Sequence, residues 1–313
     1  MDFKAARLDA YHQWPIKSKF KAEEKFDTCL ERSDGRTPLQ TAKLGLPKDN
    51  KQSIYVGHYL DGLDALPYRP DYMFDHCFKV IDSSSQSRYP RLGLKGITQG
   101  LGSELVNSSP VHWQRIADCL CKHIPNPTLM FIVKRMCSSY GATKGANKQF
   151  AGRVEDCIGQ KRYVEFINKF SIDDNSNVVP LPDGKRLESA CSFLRLYLSG
   201  IAGSKKRPGT PATLNMAEAK NIPALAKRLE FILSIWLFTM RNERAHGAAL
   251  SPFRTSKSSL ERYESYYYSM LAAYILSLGA LSVSDPHLIT ASEIEACCLS
   301  NARLQSDFFK ETK

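Results

Sequence analysis

Apolar and polar positions recur along most of this chain at the three-to-four-residue interval of an amphipathic helix, and few stretches alternate as strands do. The strongest signal lies in Asn221 to Gly247. Leu225, Leu229, Ile232, Trp236 and Met240 follow helical spacing, while Phe231, Leu233, Ile235, Leu237 and Phe238 fill the remaining faces. A helix apolar on nearly every side belongs in a core. The run from Phe231 to Met240 is too short to span a bilayer. Pro223 suits a first helical turn and Asn221 a cap, while Gly247 and Pro252 supply stop signals.

Further helices are predicted over 71–81, 110–124 with Ser109 as cap, 129–140, 147–158, 161–170 and 184–201. Ser258-Ser259-Leu260-Glu261 reads as a capping box that starts a long helix toward Leu281. A last helix runs from Thr290 to Phe309. The first fifty-odd residues read as polar and turn-rich, with a short helix within Lys17–Arg32 and with Trp14 and Phe20 as anchors. Tyr55 to Leu66 reads as helix or extended chain, and 171–183 as a loop. The expected fold is all-α: a helical bundle with an additional N-terminal helical region. The expected division is 1–108, then 109–285 as the bundle proper, then 286–313 as a C-terminal helix.

The 313 residues carry 43 Lys and Arg against 32 Asp and Glu, a formal net charge of +11. Such a balance favours a polyanionic partner such as RNA or DNA by long-range attraction. Nine cysteines, scattered through apolar segments, read as reduced thiols of a cytoplasmic protein. Neither a signal-peptide pattern nor a membrane-spanning run is expected, so no membrane partner is.

The excess positive charge is spread along the folded segments, and the candidate chemistry lies where the apolar helix ends. Phe231–Met240 runs directly into Arg241, Asn242, Glu243, Arg244 and His246. Cleavage of RNA by attack of its 2′-hydroxyl requires a base, an acid and a cation for the charge growing on the phosphate. Histidine titrates near neutrality and serves as either acid or base. Arginine offers a permanent fork of donors to phosphate oxygens. Asn242 and His246, four apart, share a helical face; Arg241 and His246, five apart, do not, so a bend or an end is expected within the motif. The same residue types also suit a helix C-terminus purely as caps.

The pattern R-N-x-x-x-H followed by Gly247 resembles the signature of the HEPN superfamily, which includes metal-independent endoribonucleases of RNA processing, toxin–antitoxin and antiviral systems. The resemblance implies Arg241 and His246 as the catalytic pair, Asn242 as the positioning residue, and a homodimer whose two motifs share one cleft. It implies products with a 2′,3′-cyclic phosphate, and neither cofactor nor metal. Ala248 stands where one toxin subfamily has tyrosine, which argues against that subgroup. An inhibitor or sensor partner is left open. Arg244, Lys205, Lys206, Arg207, Arg254, Lys257 and Arg262 are the candidate RNA-binding cations. Tyr263, Tyr266, Tyr267 and Tyr268 suit either base stacking or the core.

Three other patterns lead elsewhere. Gly93, Gly96, Gly100 and Gly102 lack a P-loop ending or a dinucleotide fingerprint, so neither ATP nor NAD is predicted. Cys119, Cys121 and His123 do not have zinc-site spacing. His76 reads as a core or boundary histidine. The alternative to an enzyme is a catalytically inactive helical module that binds RNA or protein.

Overall fold

A computed structural model describes residues 2–13, 15–16, 18–172, 177–182, 184–204, 209–245, 253 and 255–310. The helices in chain order are α1 (Phe3–His12), α2 (Lys21–Arg32), α3 (Asn50–Asp64), α4 (Pro70–Arg88), α5 (Leu94–Ser108), α6 (Pro110–Lys122) and α7 (Asn126–Ser139). They continue as α8 (Gly145–Ile158), α9 (Gln160–Phe170), α10 (Gly184–Ser199), α11 (Leu225–Glu230), a π-helical segment (Phe231–Leu237), α12 (Phe238–Ala245), α13 (Leu260–Ser284) and α14 (Ala291–Phe308). Among the described residues the only β-type pairing is one antiparallel bridge between Ile172 and Val178. The fold is all-α.

α13 lies at the centre. It packs most extensively on α4 and also meets α14, α5, α2, α7 and the π segment. By length and composition α13 alone among the described helices could cross a membrane, which no run was expected to do; 83% of its most apolar stretch is buried inside the bundle. Its apolar character is therefore spent on neighbouring helices. Tyr263, Tyr267 and Tyr268 are buried there. Tyr263 stacks on Phe26 at 4.4 Å, and the Tyr268 hydroxyl donates to the Leu120 carbonyl at 2.8 Å. These three are core residues and not base-stacking platforms.

One hydrophobic core joins Phe26 of α2, Phe74 and Ile81 of α4, Trp113 of α6, Trp236 and Phe309. It crosses both boundaries expected at 108 and 285 without a break. The polar texture of the first fifty residues comes from surface segments, whereas α4 supplies the largest face against α13.

The stretch that the periodicity singled out is helical from Leu225 to Ala245, with a wide turn in its middle. Ala224 takes the N-cap position expected for Asn221. Asn221 instead pins the preceding loop, its amide donating to the carbonyls of Ala212 and Asn215 at 2.7 and 2.8 Å. In the π segment the backbone is under-wound, which loosens carbonyls from the ordinary ladder. Arg153 of α8 meets that need: its Nε donates to the Ser234 carbonyl at 3.2 Å and its Nη2 to Thr239 Oγ1 at 3.1 Å. Burial, reinforced by the charge of Arg135, lowers the Arg153 pKa to about 10. Ser109 takes the N-cap of α6 as expected, and Ser259 takes that of α13, one residue past the Ser258 of the expected box, but neither serine side chain makes the capping bond. Thr290 does, in a reciprocal box with Glu293.

Candidate functional site

α12 carries the polar end of the buried stretch and stands between two clefts. One, of about 410 Å³, is walled by α4 through Asp75, His76, Lys79 and Asp82, and by α12 through Arg241 and Arg244. The other, of about 540 Å³, opens toward α7 and α13 and includes Phe131, Glu243, Arg244, Lys257, Arg262 and Tyr266.

Within the motif the two arginines have different employment. Arg244 is committed to carboxylates: Nε to Asp75 Oδ1 at 3.0 Å, Nη2 to Asp75 Oδ2 at 2.6 Å, and Nη1 to Asp71 Oδ2 at 3.0 Å. Asp71 is fully buried and also accepts from Nε and Nη2 of Arg69, at 2.9 and 2.7 Å. Burial works against the Arg244 charge, but the bond to Asp75 and the charges of Asp71 and Asp75 outweigh it and raise its pKa. Arg244 was expected on an RNA surface. It is instead a strut between α12 and α4, because all three of its donor directions are taken.

Arg241 is partly exposed on the first cleft, and its Nη1 donates to the side-chain oxygen of Asn242 at 3.1 Å. Among the described residues it forms no ion pair. Asn242 thus holds one donor of the neighbouring guanidinium, and Arg241 lines the cleft. The cleft wall sets the cations Arg241, Arg244 and Lys79 against the carboxylates Asp75 and Asp82. With Asp75 satisfied by Arg244, the local balance is mildly positive.

Glu243 turns the other way, 3.6 Å from Arg135. Burial raises its pKa against the pull of Arg135. Lys257 and Arg262 are exposed and line the second cleft together, beside Tyr266. The structure therefore divides the candidate cations: Arg241 in one cleft, Lys257 and Arg262 in the other, with Arg244 between. His246, Lys205, Lys206, Arg207 and Arg254 lie outside the described residues, as does the expected stop at Gly247. α12 is helical up to Ala245.

The α4 side of the motif carries a carboxylate pair that the sequence did not single out. Asp71 and Asp75, four apart, share one face of α4, a spacing that could have flagged a carboxylate pair aimed at the motif arginines. His76 lies among them. Its ring meets that of His58 at 5.5 Å, and its Nδ1 stands 3.9 Å from Asp61 Oδ2. Donor atoms of His58, Asp61 and His76 all fall within 4.8 Å of one another, making this the metal-type cluster found among the described residues. Burial and then the Lys79 charge lower the pKa of both imidazoles. Cys119 pairs instead with Cys298, away from any zinc-like set, and this contact lowers its pKa.

Comparison of the chain with protein-family models, with curated proteins and with solved structures finds no match.

Proposed function

We propose that this protein is a HEPN-type, metal-independent endoribonuclease, acting in RNA processing or as an effector of a toxin or antiviral system. The observation that carries the reading is the placement of Arg241: a guanidinium without an ion pair among the described residues, steadied by Asn242, on a cleft wall at the end of a rigid buried helix.

In this reading Arg241 binds the scissile phosphate with its remaining donors and stabilises the charge that builds on it. His246, one residue beyond α12, takes the proton from the 2′-hydroxyl. The 2′-oxygen bonds to phosphorus, the bond to the 5′-oxygen breaks, and that oxygen gains a proton from the imidazole of a second copy. The product ends are a 2′,3′-cyclic phosphate and a 5′-hydroxyl. Two proton carriers are needed and the motif has one histidine, so the reading includes a homodimer. Lys257 and Arg262, in the neighbouring cleft, would guide the RNA backbone.

The test compares wild type with His246→Ala on mixed cellular RNA in excess chelator, followed by analysis of fragment ends. Cleavage by the wild type alone, leaving cyclic phosphates, supports the proposal. Equal cleavage by both, or RNA binding without cleavage by either, overturns it in favour of a contaminant or of a binding module.

A further inference from the structure

α3 and α4 approach each other unusually closely beside the Arg241 cleft, and Gly62 is the reason. A Cβ at Gly62 would stand 2.4 Å from Met73 Sδ and 3.2 Å from both Met73 Cα and His76 Cβ. The close approach sets His76 of α4 against two residues of α3. His58 and Asp61 are three apart there and share a face.

The donors match one class of ligand. His76 Nδ1 is shut off from solvent and has no hydrogen-bond partner, although it looks toward Asp61 at 3.9 Å. That distance is too long for a hydrogen bond, and an orphaned ring nitrogen beside a carboxylate is what a metal would satisfy. Asp61 is 68% exposed, so its carboxylate can swing. Imidazole nitrogens with a single carboxylate suit zinc and its first-row neighbours, whereas calcium and magnesium call for mostly oxygen donors. Ligands on a tetrahedral zinc sit about 3.4 Å apart, given metal–donor bonds of about 2.1 Å. The present spread closes to that by side-chain movement of about 1 Å, within reach of an exposed aspartate and a partly exposed histidine.

We infer that His58, Asp61 and His76 form a binding site for a first-row transition-metal dication, zinc above all, with the remaining coordination position open to water. Three protein ligands with an open fourth position is the arrangement of an exchangeable zinc rather than a closed structural one. Neutral imidazoles are the binding form. The nearby Lys79 opposes the cation, while Asp61 supplies the countercharge. Bound metal would tie α3 to α4 along a wall of the cleft, since His76 lines that cleft. The inference goes beyond the ribonuclease reading, which needs no metal.

The full chain, stripped with chelator and dialysed, is titrated with Zn²⁺ in a calorimeter, with Mg²⁺ as control, and its melting temperature followed. The inference predicts one zinc per chain, a melting temperature that rises with Zn²⁺ but not Mg²⁺, and affinity reduced at least about ten-fold by His58→Ala or Asp61→Asn. Both positions are at least partly exposed, so these variants should keep the wild-type circular dichroism. Substitution with Co²⁺ should give the spectrum of nitrogen and oxygen ligation. Absence of stoichiometric zinc binding, wild-type affinity in both variants, or a thiolate-type cobalt spectrum would overturn the site. None of these readouts involves RNA, so their failure is separate from failure of the proposed activity.

Discussion

The guanidinium of Arg244 and the carboxylate of Asp75 meet edge to edge, at 3.0 and 2.6 Å, with Asp71 closing the third side of the fork at 3.0 Å. The Arg244 side chain is only 13% exposed, and that of Asp71 is fully buried. Removing Arg244 leaves Asp75, 35% exposed, to water and leaves buried Asp71 with Arg69 as its remaining cation. Arg244→Ala should therefore cost about 2 kcal/mol of stability, the scale for losing hydrogen bonds to charged groups that keep some access to water or a second cation. Arg244→Lys should recover only part of this, because an ammonium cannot bridge both carboxylates as a fork does. Urea denaturation of the three proteins checks it. A loss within about 0.5 kcal/mol, as at an ordinary surface site, would refute the strut.

The neighbouring arginine should behave in the opposite way. Arg241 makes one hydrogen bond, to the adjacent Asn242, and no ion pair among the described residues. Arg241→Ala should leave the melting temperature nearly unchanged while reducing RNA cleavage by about 10²-fold or more, the scale for losing a preorganised donor to a developing oxyanion. Asn242→Ala should reduce it less, because it frees the guanidinium without removing it. A large loss of stability in Arg241→Ala would show that the side chain is structural. Cleavage at the wild-type rate by a folded Arg241→Ala would remove it from the mechanism.

Acid should loosen the seam between α6 and α14. Burial works against the charge of Glu295, but hydrogen bonds from His112 at 2.6 Å and Arg115 at 3.1 Å prevail and hold its pKa below the ordinary 4.5. A carboxyl with a depressed folded pKa contributes stability that is fully present above the unfolded value and disappears as pH falls through the folded one. The contribution should thus be intact at neutral pH and lost progressively below about 4.5. Urea midpoints measured from pH 7 to pH 3 should fall less steeply for Glu295→Gln than for wild type. Parallel curves would mean that the carboxyl titrates alike in both states.

What the sequence makes legible follows from how local each interaction is. Helical periodicity is local, so the all-α class and most helix positions were legible. The apolar run of 231–240 announced its burial in the same way. Employment of polar groups is not local. Arg244 looked like an RNA ligand because its partners Asp71 and Asp75 lie about 170 positions away in sequence. Asn221 looked like a cap, yet a loop carbonyl at Ala212 claimed its amide. His76 looked like a boundary residue because His58 and Asp61 reach it only across a helix pair. The π segment was hidden for another reason, since its widened turn depends on Arg153 of α8 to meet the Ser234 carbonyl.

Gly279 tests the core of α13 by setting two effects against each other. In an exposed helix interior, replacing glycine by alanine gains about 1 kcal/mol from backbone entropy. Here a Cβ would stand 2.5 and 2.8 Å from the Trp113 ring and 3.0 Å from Leu105 Cδ2. Trp113 is completely buried and cannot swing aside as a surface chain would. Overpacking of this kind costs about 1 to 3 kcal/mol, so the balance should fall on the side of destabilisation. Gly279→Ala should melt below wild type, and Gly279→Ala with Trp113→Phe, which opens space at the ring, should lose less than the two single effects added together. Strict additivity, or a single variant more stable than wild type, would mean that α6 and α13 can part at this point without cost.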